Sequence, residues 1–170
     1  MQPRHRGFQT RDMVNIMRII SHRGNLTGEN SKMENRKSYI ETALKAGFDC
    51  EIDLWKIDDT LYLGHDQAQY KVTYNWLINN CSKLWIHCKN LEAINYLRSR
   101  EKLETSLLNY FFHDGDDLAL TSKKVFWTYP NKPTCKHSVL VLKNEKDGFS
   151  NDIFGVCTDF PMIIKDVLEK

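Results

Sequence analysis

Short apolar runs alternate with amphipathic stretches along most of this chain, and the two kinds of segment follow different periods. The runs "MRIIS" (17–21), "DCEIDLW" (49–55), "KLWIHC" (83–88), "NYFFH" (109–113), "VFWTY" (125–129), "SVLVL" (138–142) and "GVCT" (155–158) read as strands. They are rich in β-branched and aromatic residues. A segment near "LALTS" (118–122) offers an eighth, and "TLYLG" (60–64) reads as a hairpin return behind the turn signal Asp58-Asp59. Between them the spacing predicts helices over 35–46, 73–80, 91–100 and 161–169. In the first, Tyr39, Ile40, Ala43 and Leu44 recur at helical intervals before Gly47 stops the run. In the last, Asp159 stands ahead of Pro161 in the manner of a helix start.

Strands that alternate with helices predict a parallel α/β architecture, here as one domain over 16–170. Residues 1–15 carry Arg4, Arg6 and Arg11 with no apolar period. They read as a flexible basic extension, with Met17 as a candidate start.

Composition narrows the classes. A chain of 170 residues, 41% hydrophobic and 27% charged, suits a folded water-soluble domain. A formal charge of +2 and a pI near 8.2 exclude nucleic-acid binding by bulk electrostatics, so any anion must be held by a local site. Five cysteines form no C-x-x-C pair, which argues against a disulfide framework or a cysteine zinc site and for reduced, mostly buried thiols. No apolar run approaches the roughly 20 residues of a membrane span, and the first residues lack the apolar block of a secretory signal. No membrane span and a cytoplasmic location are therefore expected. Asn25-Leu26-Thr27 and Asn80-Cys81-Ser82 match the glycosylation pattern, a triplet common by chance.

The candidate chemistry gathers at the carboxyl ends of the predicted strands, where parallel α/β folds collect their ligands. His-Arg-Gly occurs twice. The first copy, His5-Arg6-Gly7, follows a polar tail, whereas His22-Arg23-Gly24 directly follows the apolar run of the first strand. On the second strand, period-two geometry puts Glu51 and Asp53 on one face with Ile52 on the other. Two inward carboxylates suit a hard divalent cation, Mg²⁺ or Ca²⁺, while a half-exposed strand end accounts equally well for the pair alone. His65 and Asp66 follow in a loop, placing an imidazole near the carboxylates as a second proton-transfer group. The third strand ends with His87 and Lys89 on a common face. They suit a metal ligand and a phosphate-neutralising cation, or a core histidine and a surface lysine.

Taken in order, "SHRGN", "EIDLW", "LGHD" and "WIHCKN" resemble the glycerophosphodiester phosphodiesterase family, within the phospholipase-C-like phosphodiesterases. Glu29-Asn30 matches that family's Glu-Asn element, and "TDFP" (158–161) its closing strand. The resemblance covers 17–90 and the last strand and is thin between 100 and 150.

It implies a compact TIM-type (β/α) barrel, with shortened or missing helices in the second half, that cleaves a small glycerol- or sugar-linked phosphodiester with metal help. His22 and His65 match the pair that moves protons, Arg23 the phosphate-holding arginine, Glu51 and Asp53 two metal ligands, and Lys89 the family's lysine. Glu29 matches a site acid. Trp127 lies where the family has a tryptophan against the substrate's alcohol group, although so large an aromatic near a core also suits packing alone. The scheme allows the substrate's own hydroxyl as nucleophile, giving a cyclic phosphate.

His87 stands where the family carries a third carboxylate, and the chain is short against the roughly 250 residues of such barrels. "FFHDGDD" adds His113 after a strand, followed by acids that read as a metal-binding loop or a solvated turn. A second reading, prompted by His87, is a non-catalytic module that binds a phosphate ligand on the same barrel.

Overall fold

The computed structural model describes residues 17–101 and 107–170; the expected basic extension and the upstream His5-Arg6-Gly7 lie outside them. The elements run β1 (Arg18–His22), α1 (Lys37–Lys45), β2 (Asp49–Ile57), β3 (Thr60–Leu63), β4 (Tyr70–Val72), α2 (Tyr74–Asn79) and β5 (Leu84–Cys88). They continue with α3 (Leu91–Glu101), β6 (Asn109–Phe111), β7 (Leu118–Leu120), β8 (Phe126–Thr128), β9 (Ser138–Val141), β10 (Gly155–Thr158) and α4 (Pro161–Leu168).

Each apolar run becomes a strand, and the hairpin expected at 60–64 forms as β3, antiparallel to β2. Three-residue β4 is too short to show a period, and it completes a meander by pairing with β3. The first helix starts later than its periodicity suggests because Asn35 sits in the left-handed region (φ +61°) and Arg36 is extended. Thr73 caps α2, its hydroxyl accepting from the Trp76 amide at 3.2 Å.

Parallel strands follow one another sideways as β6-β5-β2-β1-β10-β9-β8, with β7 antiparallel on β8 at the edge. This is a curled mixed sheet with helices on its outer face. Among the described residues, β6 and β8 share no ladder, so the curl stops short of a closed barrel. The gap is spanned by the Ser122 amide donating to the Tyr110 carbonyl at 2.8 Å and by stacked Phe111 and Trp127 rings, centroids 4.7 Å apart. From β6 to β10 the described chain runs without a helix. No described helix is long and apolar enough to cross a membrane.

Strict alternation assigns the strand residues to two cores. On the outer face Cys50, Ile52, Leu54, Leu84, Ile86 and Cys88 meet Ile40, Ala43, Leu77, Ala93 and Leu97 of the helices. Inside the curl Ile20, Trp85, Phe111, Trp127, Val139 and Cys157 form an apolar layer. Burial pushes the Cys50, Cys88 and Cys157 thiols up, so they remain protonated core residues. Cys135 is the exposed exception to the expectation of buried thiols.

Ile86, fully buried between sheet and helices, is expected to cost about 2–5 kcal/mol on Ile86→Ala. Leu120→Ala on the edge strand, where the side chain is exposed, should change stability by less than about 0.5 kcal/mol. Urea denaturation of the two variants checks the contrast.

Candidate active site

The same alternation that buries Ile20 carries His22 to the inner rim of β1, and the chain then reverses sharply. Arg23 (φ +53°) and Gly24 (φ +92°) both take the left-handed conformation. A side chain at residue 24 would approach Tyr39 Cδ1 to 2.8 Å and the Ile40 amide to 3.1 Å, so glycine is required there. The turn is fixed by the Arg23 amide donating to the Glu51 carbonyl at 3.0 Å and the Asn35 amide to the Arg23 carbonyl at 3.1 Å. At the other end of the β2–β3 hairpin, Gly64 (φ +149°) lies so close to the Gln67 carbonyl that a Cβ would fall 2.1 Å from it. His65 projects from this turn.

On β2, Asp49, Glu51 and Asp53 all point inward. Asp49 lies at the floor, where Trp85 Nε1 donates to it at 3.1 Å and Arg18 reaches it at 3.3 Å. Glu51 and Asp53 stand above, level with His22 and His87 in the register. Asp53 is the hub. Arg23 Nε lies 2.9 Å and His65 Nδ1 3.3 Å from Oδ2, while His87 Nδ1 lies 3.1 Å and Lys89 Nζ 3.6 Å from Oδ1. Asn35 clamps the same residue twice, donating to Oδ2 at 2.9 Å and accepting from the Asp53 amide at 3.0 Å.

His22 is held by Nδ1 donating to Asp159 at 2.8 Å, with Nε2 3.9 Å from Glu51. Asn25 ties the rim together, donating to Glu34 at 2.9 Å and to Asp159 at 2.7 Å, and Glu34 also holds Arg23 Nη1 at 3.2 Å.

These contacts divide the two central acids. Burial raises Glu51, and the neighbouring Asp53 charge raises it further. Burial works in the same direction on Asp53, but hydrogen bonds from His65 and His87 and the Arg23 charge outweigh it and hold the carboxyl well below the usual range. For His22, burial disfavours the cation, yet the Asp159 bond and the Glu51 charge prevail and raise it above its ordinary value.

Glu34, Glu51, Asp53 and Asp159 bring four negative charges against two positive ones from Arg23 and Lys89, an excess of two with the histidines neutral. One Glu51 oxygen, Oε2, is buried with no hydrogen-bond partner. Donor atoms of Glu51, Asp53 and His87 lie within 4.8 Å of one another, a spacing that fits a single cation.

The structure thus brings together His22, Arg23, Glu51, Asp53, His65, His87 and Lys89. His113 joins them, stacked on His87 with centroids 4.3 Å apart and bonded through Nε2 to the Tyr129 hydroxyl at 2.7 Å. Two expectations need correction. Glu29 is exposed on its loop; the Glu-Asn pair that reaches the site is the later one, Glu34-Asn35, both residues buried. Trp127 is 3% exposed and packs against Trp85 and Phe111, because position 127 faces the apolar layer beneath the rim, level with Val139. It has no open face for an alcohol group. The acids of "FFHDGDD" at 114, 116 and 117 are exposed, as a solvated turn requires.

Sequence reasoning missed Asn25, Glu34, Asn35, Tyr129 and Asp159. Asp159 was legible as a polar residue just past a strand tip; instead of starting a helix it leaves the cap position to Phe160 and turns to His22. No protein-family model matches the chain, and searches of curated proteins and of solved structures found no match.

Two measurements probe this electrostatic arrangement. In chelator-treated protein, Glu51→Gln should raise stability by about 1 kcal/mol, roughly 2–4 °C in Tm by calorimetry, because it removes a buried like charge while keeping the shape. His113 is lowered to about 4 by burial and by His87 and Lys89. The unfolded imidazole, titrating near 6.5, binds more protons between these values, so stability should fall as pH drops from 6.5 toward 4. His113→Gln should flatten that slope in pH-dependent urea denaturation.

Proposed function

We propose that this chain is a metal-dependent phosphodiesterase acting on a small glycerol- or sugar-linked diester, on an incomplete barrel of the phospholipase-C-like kind. The observation that carries the reading is the meeting at one rim of two imidazoles around a buried carboxylate pair, His22 beside Glu51 and His65 beside Asp53. Arg23 and Lys89 stand at the same point.

Glu51, Asp53 and His87 would hold a divalent ion, whose chemistry is to withdraw charge from phosphoryl oxygens. The partnerless Glu51 oxygen and the excess negative charge, one unit once His22 is protonated, are the features such an ion satisfies.

The protein's own groups divide the proton transfers. Arg23 Nη2, which has only protons to offer, lies 3.4 Å from His65 Nε2, so that nitrogen presents a lone pair while Nδ1–H faces Asp53. His65 is therefore the base, taking the proton of the substrate hydroxyl next to the phosphate. His22, raised and held through Nδ1–H by Asp159, keeps a proton on Nε2 and donates it to the departing alkoxide. One P–O bond forms to the substrate's own hydroxyl oxygen as the bond to the alcohol breaks, leaving a cyclic phosphate. Arg23 and Lys89 offset the charge gathered on the phosphoryl oxygens.

Purified protein assayed on glycerophosphodiesters that carry a free hydroxyl next to the phosphate should turn over, EDTA should abolish the rate, and aryl diesters without such a hydroxyl should stay intact. His22→Ala and His65→Ala should each lower kcat by about 10²–10⁴-fold with unchanged circular dichroism. Absence of turnover with every divalent ion overturns the proposal, and full activity in either variant overturns the proton assignment. Metal-independent binding of inorganic phosphate without turnover would instead identify the non-catalytic module.

A further inference from the structure

The donor set is unusual for a hard cation, and the structure explains why its nitrogen member cannot be avoided. His87 is 9% exposed in its side chain and lies in a stack, parallel to Phe111 (centroids 5.1 Å, 2°) and to His113 (4.3 Å, 11°). The stack fixes the ring plane. Nδ1 is thereby aimed between the two carboxylates, 3.1 Å from Asp53 Oδ1 and 4.0 Å from Glu51 Oε1. An ion seated among these acids meets the imidazole as well.

Oxygen donors are scarce by comparison. Asp53 already accepts from Asn35 and faces the charges of Arg23 and Lys89, which leaves less of its negative charge for a cation. Of the carboxylate oxygens of Glu51 and Asp53, Glu51 Oε2 is the one buried without a hydrogen-bond partner. Calcium takes six to eight oxygens and magnesium a near-octahedral oxygen shell, whereas the affinity of the first-row transition ions for mixed nitrogen–oxygen sites rises from manganese toward copper, with imidazole suiting zinc, iron, nickel and copper best.

Resting on the reading of this site as a metal centre, we infer that Glu51, Asp53 and His87 select a first-row transition ion, manganese, cobalt or zinc, over magnesium or calcium, with His87 Nδ1 as the selecting ligand.

Transition ions outrank magnesium at most mixed nitrogen–oxygen sites, so the deciding quantities are direct nitrogen ligation and its dependence on His87. The full chain, stripped with chelator, would be titrated by calorimetry with Mn²⁺, Co²⁺, Zn²⁺, Mg²⁺ and Ca²⁺ in turn. The Mn²⁺ form would be measured by electron spin echo for nitrogen hyperfine coupling. We expect coupling in the unaltered protein and its loss in His87→Asp, together with a fall of about tenfold or more in the ratio of Mn²⁺ to Mg²⁺ affinity.

Absence of nitrogen coupling, tighter binding of Mg²⁺ or Ca²⁺ than of Mn²⁺, or an unchanged ratio in His87→Asp overturns the inference. If turnover with Mg²⁺ persists in those cases, the phosphodiesterase reading stands without it. If no divalent ion binds, both fall. Should His87→Asp fail to fold by circular dichroism, the coupling and the affinity order of the unaltered protein decide.

Discussion

Two carboxylates side by side inside a protein are the constraint around which the rest of this molecule is arranged. Glu51 and Asp53 point into the curl from one strand, each almost fully removed from water. Uncompensated, such a pair would expel a charge by protonation or unfold the strand. The structure compensates one acid and leaves the other needy. Around Asp53 gather Arg23, His65, His87, Lys89 and Asn35. Glu51 keeps an oxygen with no partner. That asymmetry concentrates the remaining negative charge at one place, which is what a cation site needs.

The local backbone serves the same end. Arg23 and Asn35, both left-handed and joined by a backbone hydrogen bond, are strained positions held by the contacts of their side chains with Asp53. Beneath them the interior is apolar. Ile20, Phe111, Trp127, Val139 and Cys157 form a layer below the rim, Ile20 level with Asp49 in the register. A low-dielectric floor strengthens every ion pair above it. Trp127 thus acts on the site from below, through the medium it creates.

Much of this was legible in the sequence because period-two alternation is a strong signal. It put Glu51 with Asp53 and His87 with Lys89, and the apolar run before His22 singled out the right copy of His-Arg-Gly. What alternation does not encode is which loop residue folds back. Glu29-Asn30 and Glu34-Asn35 are indistinguishable as dipeptides, and only the left-handed turn at Asn35 decides between them. Asn25, the first residue of a chance glycosylation triplet, is buried as the crosslink between Glu34 and Asp159. Trp127 was ambiguous because a tryptophan facing inward lines a pocket or a core according to its layer, and layers are set by register between strands.

The bond from His22 to Asp159 joins residues 137 positions apart. It exists only once the final strand has slotted between β1 and β9, the step that also brings the two ends of the described chain together. Loop closure over so long a separation makes this a late event in folding. Without that strand in place, His22 has no Asp159 to hold its ring. The orientation of one rim imidazole is thus a long-range property, set by the last strand of the described chain and not by the turn that carries the ring.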